Sequence, residues 1–110
     1  MNSGFAYIVS NKTRTTFYIG VTNDIERRIY EHKTGQGSYF TSKYKLTDLV
    51  LYEYYENIDS TIEREKQLKN WHREWKINLI KKTNPELVDF TFTDFDFIPE
   101  DFVLDEQPRC

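Results

Sequence analysis

Apolar and aromatic residues first gather at Phe5 to Val9 and at Thr16 to Val21, two short runs with the polar Asn11-Lys12-Thr13 between them. β-Branched and ring side chains suit a pleated surface, and the polar residues supply a turn, so the pattern predicts an antiparallel hairpin. The period then changes. Ile25 and Ile29 stand four apart behind Thr22-Asn23-Asp24, three N-cap candidates, which predicts a helix to about Thr34. Gly35-Gln36-Gly37-Ser38 ends that helix and opens a loop reaching Lys45. Asp48 to Glu56 alternates as a third strand, and Asp59 or Ser60 then caps a long charged helix to about Lys82, bent near Trp71. The order β-β-α-β-α-α predicts an α+β fold, a three-stranded antiparallel sheet flanked by helices.

Because each helical step turns by about 100°, the same pattern sorts the polar residues by face. In the first helix Arg28 and His32 lie one turn apart on the flank of the Ile25–Ile29 stripe, and Arg27 points nearly opposite. Two readings compete here: an arginine snorkelling over a core edge beside a satisfied boundary histidine, or a pair reaching toward the sheet. In the long helix Ile58, Thr61, Ile62, Leu68 and His72 gather on one side with Glu65 in their middle, while Glu63 faces away. A carboxylate on a core-facing stripe is costly unless it is paired, hydrogen-bonded or bound to a metal. A buried ion pair between Glu65 and Arg28 competes with a catalytic or metal-binding role. Tyr7 and Tyr18 are central in neighbouring strands, and Gly20, two positions after Tyr18, marks a bulge or a close approach by another group. Two phenols, an arginine, a histidine and a carboxylate on one sheet face would suit metal-assisted phosphodiester cleavage. A hard divalent ion needs few protein ligands, and the other groups manage charge and protons.

Composition narrows the class. The 110 residues fit one domain, and 18 of them are Phe, Tyr or Trp, enough bulk for a core. No apolar run approaches the ~20 residues of a membrane span, and the N-terminus has no long apolar region of the signal-peptide kind. Cys110, the single cysteine, makes neither an internal disulfide nor a zinc site. A cytoplasmic protein without a membrane partner is expected. The formal charge of -3 argues against nucleic acid only as an average. Residues 1–85 carry a net +4, and residues 86–110 a net -7. The shift falls at Asn84-Pro85, so a domain over 1–85 and an acidic, Phe-rich tail over 86–110 are expected.

Phe5-Ala6-Tyr7, followed by Tyr18-Ile19-Gly20, resembles the paired motifs of the GIY-YIG nuclease superfamily. Val21 to Arg28, with Glu31-His32, resembles the helix that carries that family's arginine and histidine. Arg64 to Lys69, with Trp71, resembles the segment bearing its metal-binding glutamate. The likeness spans roughly residues 4–85 and is best to small stand-alone bacterial members. The resemblance implies a three-stranded antiparallel sheet and an endonuclease that cuts DNA with Mg²⁺ or Mn²⁺. It implies Tyr7 and Tyr18 as motif tyrosines, one of them a general base or water-orienting group. By the same resemblance Arg28 meets the scissile phosphate or leaving oxygen, and His32 assists proton transfer or holds Tyr18. Glu65 becomes the metal ligand, and Asn84 stands where some members carry an active-site asparagine. The sequence departs from the family at Phe5, where the motif has glycine, and a ring there narrows access if that glycine serves substrate approach.

Beyond the site, Lys43, Lys45, Lys66, Lys69, Arg73 and Lys76 suggest a phosphate-binding face, with Tyr39 and Phe40 interleaved and Trp71 and Trp75 expected in the core. Without a sequence-reading motif, recognition of DNA structure is expected rather than of a specific site, with a protein partner as one source of targeting. Two alternatives stand beside the nuclease: a non-cleaving DNA-binding or adaptor domain with the same fold, and a protein whose acidic aromatic tail is the active surface. In that tail Phe90 and Phe92 alternate as an edge strand would. Its acids and aromatics folding over the basic face to compete with DNA is one reading, and a docked or loose terminus with no regulatory role is the favoured one.

Overall fold

A computed structural model describes residues 3–95. Strands β1 (Gly4–Ser10), β2 (Phe17–Thr22) and β3 (Asp48–Tyr55) form one antiparallel sheet in the order β2-β1-β3. The helices are α1 (Ile25–Lys33), α2 (Tyr39–Lys43), α3 (Ile58–Asn70), α4 (Arg73–Thr83) and α5 (Thr91–Asp94). The expected order of three strands and three longer helices holds, with two short helices added. β1 is central and covered on both faces, which is why its residues read as a nearly continuous apolar run.

The two faces bury separate clusters. On one, Tyr7, Val9 and Leu49 pack with Ile25 and Ile29 of α1 and with Leu46. On the other, Ile8, Ile19, Val50 and Leu51 pack with Leu68 of α3 and Ile80 of α4. Between β1 and β3 the register slips at Ile8/Val9, where Ile8 faces Leu51 but Val9 faces Leu49. The extra residue lets the consecutive Val50 and Leu51 both join the second cluster, where strict alternation would put them on opposite faces, as a bulge does.

Local signals explain the boundaries. Asp24 caps α1 by accepting from the Arg27 N–H at 3.2 Å. The cap of α3 is Asn57, whose Oδ1 accepts from the Ser60 N–H at 2.8 Å, so the expected caps Asp59 and Ser60 lie inside the first turn. The predicted bend near Trp71 is a full break: Trp71 and His72 are extended, and α4 restarts at Arg73. The break directs Trp71 onto the second core cluster, while Trp75, expected in the core, stays exposed and meets Trp71 edge-on at 5.9 Å.

The beginning of the acidic segment is tied to the body. Asp89 pairs with the buried Lys33, and its Oδ1 accepts from the Leu49 N–H at 3.0 Å. Phe90 donates its N–H to the Leu49 carbonyl at 2.8 Å, and the rings of Phe90 and Phe95 pack near Tyr52. Residues 91–94 form a helical turn where alternation predicted an edge strand. Asp89 causes this locally, because its carboxylate receives the Thr91 N–H and hydroxyl and so starts the turn. Residues 96–110, on which most of the expected acidic tail falls, lie outside the described residues.

Candidate active site

Tyr7 is the centre of the site, and its position follows from strand register. It stands in the middle of β1 directly opposite Gly20 of β2. A Cβ at position 20 would lie 2.5 Å from the Tyr7 hydroxyl oxygen and 2.6 Å from its ring carbon Cζ. The glycine therefore leaves room for the phenol to lie across β2, an edge strand, where a packed pair of side chains would otherwise stand. Of the two readings of Gly20 in the sequence, close approach by another group is the one observed.

The Tyr7 hydroxyl lies 3.0 Å from Nε2 of His32, in a hydrogen bond buried between β1 and α1. Burial pushes the Tyr7 phenol well above its ordinary range; the charge of Arg28 opposes this, and Tyr18, Glu31 and Glu65 reinforce it. These groups, from β2, α1 and α3, thus exert their fields on one hydroxyl. His32 is 5% exposed. Burial lowers its pKa to about 4, helped by the positive charge of Arg28 and opposed by Glu31. At neutral pH the pair is a neutral phenol on a neutral imidazole. Nδ1 of His32 is buried and has no hydrogen-bond partner among the described residues. It sits against Gly37, where a Cβ would come within 2.6 Å of it. The expected contact of His32 with Tyr18 is a ring contact at 6.3 Å, edge-on; its hydrogen bond goes to Tyr7.

Arg28 and Arg27 separate as the helical pattern predicts, Arg28 half-buried and Arg27 exposed. Both reach Glu31, at 3.2 Å each. Arg28 also lines a polar cleft of about 360 Å³ with Thr22, Asp24 and Gln36. Glu65 is half-buried on α3 and pairs with Lys69 one turn on, at 2.9 Å. The ion pair expected as the competing account of Glu65, with Arg28, is not formed: each has a nearer partner on its own helix. No group of three or more His, Cys, Asp or Glu able to hold a metal occurs among the described residues. A lone half-buried carboxylate fits a small hard cation that keeps most of its waters, and does not fit a structural zinc site.

The family model of the GIY-YIG catalytic domain matches residues 3–78. The chain belongs to the GIY-YIG family. Its relatives include the UPF0213 proteins of Staphylococcus aureus strains Mu3 and N315, each 34% identical over 82 residues that make up 74% of this chain and 99% of theirs. Among solved structures, the solution NMR structure of the UPF0213 protein BH0048 from Bacillus halodurans matches with a TM-score of 0.50. It is 23% identical over 83% of this chain and 96% of that one, a likeness of fold. The GIY-YIG family is a nuclease family, and the matched span contains Tyr7, Tyr18, Gly20, Arg28, His32 and Glu65.

Other expected residues have different surroundings. Asn84 is buried; its amide donates to the Val50 and Val88 carbonyls, and its oxygen accepts from the Val88 N–H. Every one of these bonds is to backbone, so Asn84 acts as a strut between α4, β3 and the following segment. Arg73 donates to the Thr15 carbonyl at 2.6 Å and lies over the Phe17 ring. Lys69 is committed to Glu65, while Lys43, the last residue of α2, and Lys45, just beyond its C-cap, are exposed. The motif departure at Phe5 leans toward β3: its ring packs edge-on against Tyr54 at 5.3 Å. Sequence reasoning missed Gly37 and α2, although Ser38, which caps α2 by accepting from the Thr41 N–H, was a legible signal.

Proposed function

We propose that the protein is a metal-dependent endonuclease that hydrolyses DNA phosphodiester bonds and selects its substrate by structure rather than sequence. The observation that carries this reading is the buried Tyr7–His32 pair lying over Gly20 in the combined field of Arg28, Tyr18 and Glu65. Glu65 would hold Mg²⁺ or Mn²⁺, an ion that when bound supplies positive charge to the phosphate oxygens.

The chain's own residues account for the proton and the charge. A phenol raised as Tyr7 is remains protonated at neutral pH, so it does not begin as a phenolate base. It takes the proton of an attacking water only as it passes its own to Nε2 of His32, which is neutral and 3.0 Å away. The water oxygen then bonds to phosphorus and the ester bond to the leaving oxygen breaks. That oxygen takes a proton from solvent, and the imidazolium, disfavoured by burial, gives its own up so that both residues return to neutral. Arg28, with its guanidinium partly exposed, stabilises the negative charge that grows on the phosphate. Tyr18 borders the same space, its ring 6.3 Å from His32, and orients the water or substrate.

The test is nicking of plasmid, branched and flapped DNA in Mg²⁺ or Mn²⁺, compared with EDTA and with Glu65→Ala and Arg28→Ala. The expected result is metal-dependent cutting, reduced by about 100-fold or more in each variant, the scale of losing a group that stabilises transition-state charge. Undiminished cutting in both variants refutes the site. DNA binding by the wild type without cutting in either metal makes the protein an adaptor.

A further inference from the structure

The helix that the sequence did not announce carries an unusual surface. Within α2 and its C-cap, Tyr39 is 79% exposed, Phe40 41% and Tyr44 44%. Large rings gathered this closely in the open mark a surface made for contact. Phe40 lies 4.8 Å from Tyr44 and 6.1 Å from Tyr18, the second pair tilted by only 33°. The rings therefore make a string that leads from the open surface to a tyrosine of the candidate active site. Beside them a groove of about 330 Å³ is lined by Phe17, Tyr18, Phe40, Lys69 and Lys76.

The charged residues that belong to the string and line the groove are all lysines. α2 contains no acid. Lys43 stands over the rings of Tyr39 and Tyr44, at 5.8 and 5.4 Å. Lys45 follows in the left-handed region at φ 58°, which fixes its backbone next to Tyr44. Neither Lys45 nor Lys76 is in an ion pair among the described residues, and Lys69 connects the groove to Glu65. Rings edged by lysines complement a chain of flat, stackable groups joined by phosphates. An apolar protein partner would match the rings and leave the lysines unanswered. Base-paired DNA would answer the lysines only, because its bases are already stacked on one another.

We propose that α2 and the adjoining groove form a stacking platform for unpaired nucleotides of the substrate, placed beside the phosphodiester held at Tyr7, Tyr18 and Glu65. The substrate class is then DNA with a single-stranded segment at the cut, such as a flap. The identity of the neighbouring phosphate as the scissile one rests on the nuclease reading; the binding preference does not.

The experiment separates the two. Fluorescence anisotropy in EDTA measures binding of the full chain to labelled flap, single-stranded and blunt duplex DNA of one sequence. Phe40→Ala and Tyr44→Ala are each expected to weaken flap and single-strand binding by at least about fivefold, the lower end of what losing one stacked base costs. Duplex binding is expected to change by less than about twofold, since lysine contacts to phosphate remain. Phe40→Trp, which keeps a stacking ring, is expected to retain the preference and so excludes misfolding as the cause. Equal losses on flap and duplex, or no loss on either, overturn the platform. Flap preference without metal-dependent cutting overturns only the nuclease reading, and cutting that ignores these substitutions overturns only the platform.

Discussion

Acid is expected to unfold this protein through one histidine. His32 titrates at 6.5 in an unfolded chain and at about 4 in the fold, because burial disfavours the imidazolium. Between these values the unfolded state holds a proton that the native state lacks. Stability is therefore complete above pH 6.5, falls as the pH drops, and stops falling near pH 4. At 1.36 kcal/mol per pH unit the whole difference is about 3 kcal/mol, of which about 2 kcal/mol is lost between pH 7 and 5. In a domain of this size a loss of 2 kcal/mol lowers the melting temperature by roughly 10 °C. Asp48 does not contribute in that window. Burial would raise its carboxyl, but hydrogen bonds from Lys12 and Arg14 and the charge of Lys33 hold it below the ordinary 3.8, so its stability is lost only at lower pH. Urea melts at pH 5, 6, 7 and 8 measure the slope, with His32→Gln as the control that keeps His72 and every carboxylate. The slope between pH 7 and 5 is expected to shrink by most of that 2 kcal/mol in the variant. A flat wild-type profile, or the same slope in His32→Gln, refutes the claim that a buried neutral His32 governs acid stability.

Gly20→Ala places a methyl 2.5 Å from the Tyr7 hydroxyl. The rigid ring must move off His32, so a stability loss of about 2 kcal/mol by chemical denaturation and a matching loss of nuclease activity are expected. Unchanged stability would show that the phenol does not lie over β2. Asp89→Ala leaves Lys33, buried, with Asp48 at 3.5 Å as its one carboxylate partner among the described residues, and is expected to cost about 3 kcal/mol. A cost under about 0.5 kcal/mol, the scale of a surface change, would make Asp89 the tail residue that its sequence neighbours suggest. Arg27→Ala, which loses an exposed guanidinium paired with Glu31, is expected to keep DNA cleavage within a few-fold of wild type, in contrast to Arg28→Ala. Equal losses in the two would mean that general basicity of α1, not position, sets the rate.

Periodicity alone carried the fold class and the choice of residues within the helices. Ile25 and Ile29 fix which side of α1 is buried, and that side determines that Arg28 and His32, not Arg27, face the body. A helix has one geometry, so spacing along it converts directly into direction. The same is true of the strands, where alternation and the Asn11-Lys12-Thr13 turn put Tyr7 and Tyr18 in neighbouring strands.

Only the tertiary structure decided which atoms meet. Neither the Tyr7–His32 hydrogen bond, between residues 25 positions apart, nor the pairing of Gly20 with the Tyr7 phenol can be computed from spacing, because both depend on how a helix packs over a sheet. The tertiary structure also gave Asp89 and Asn84 partners that spacing does not show. One reads as tail charge and the other as a loosely placed motif residue, yet both hold backbone and buried side chains together across distant parts of the chain. Net charge could not separate these uses, since it is a sum over residues and carries no positions. The sequence by itself determined the elements, their faces and the chemical types on them; the packing of α1 and α3 around an edge strand determined that those types act on one phenol.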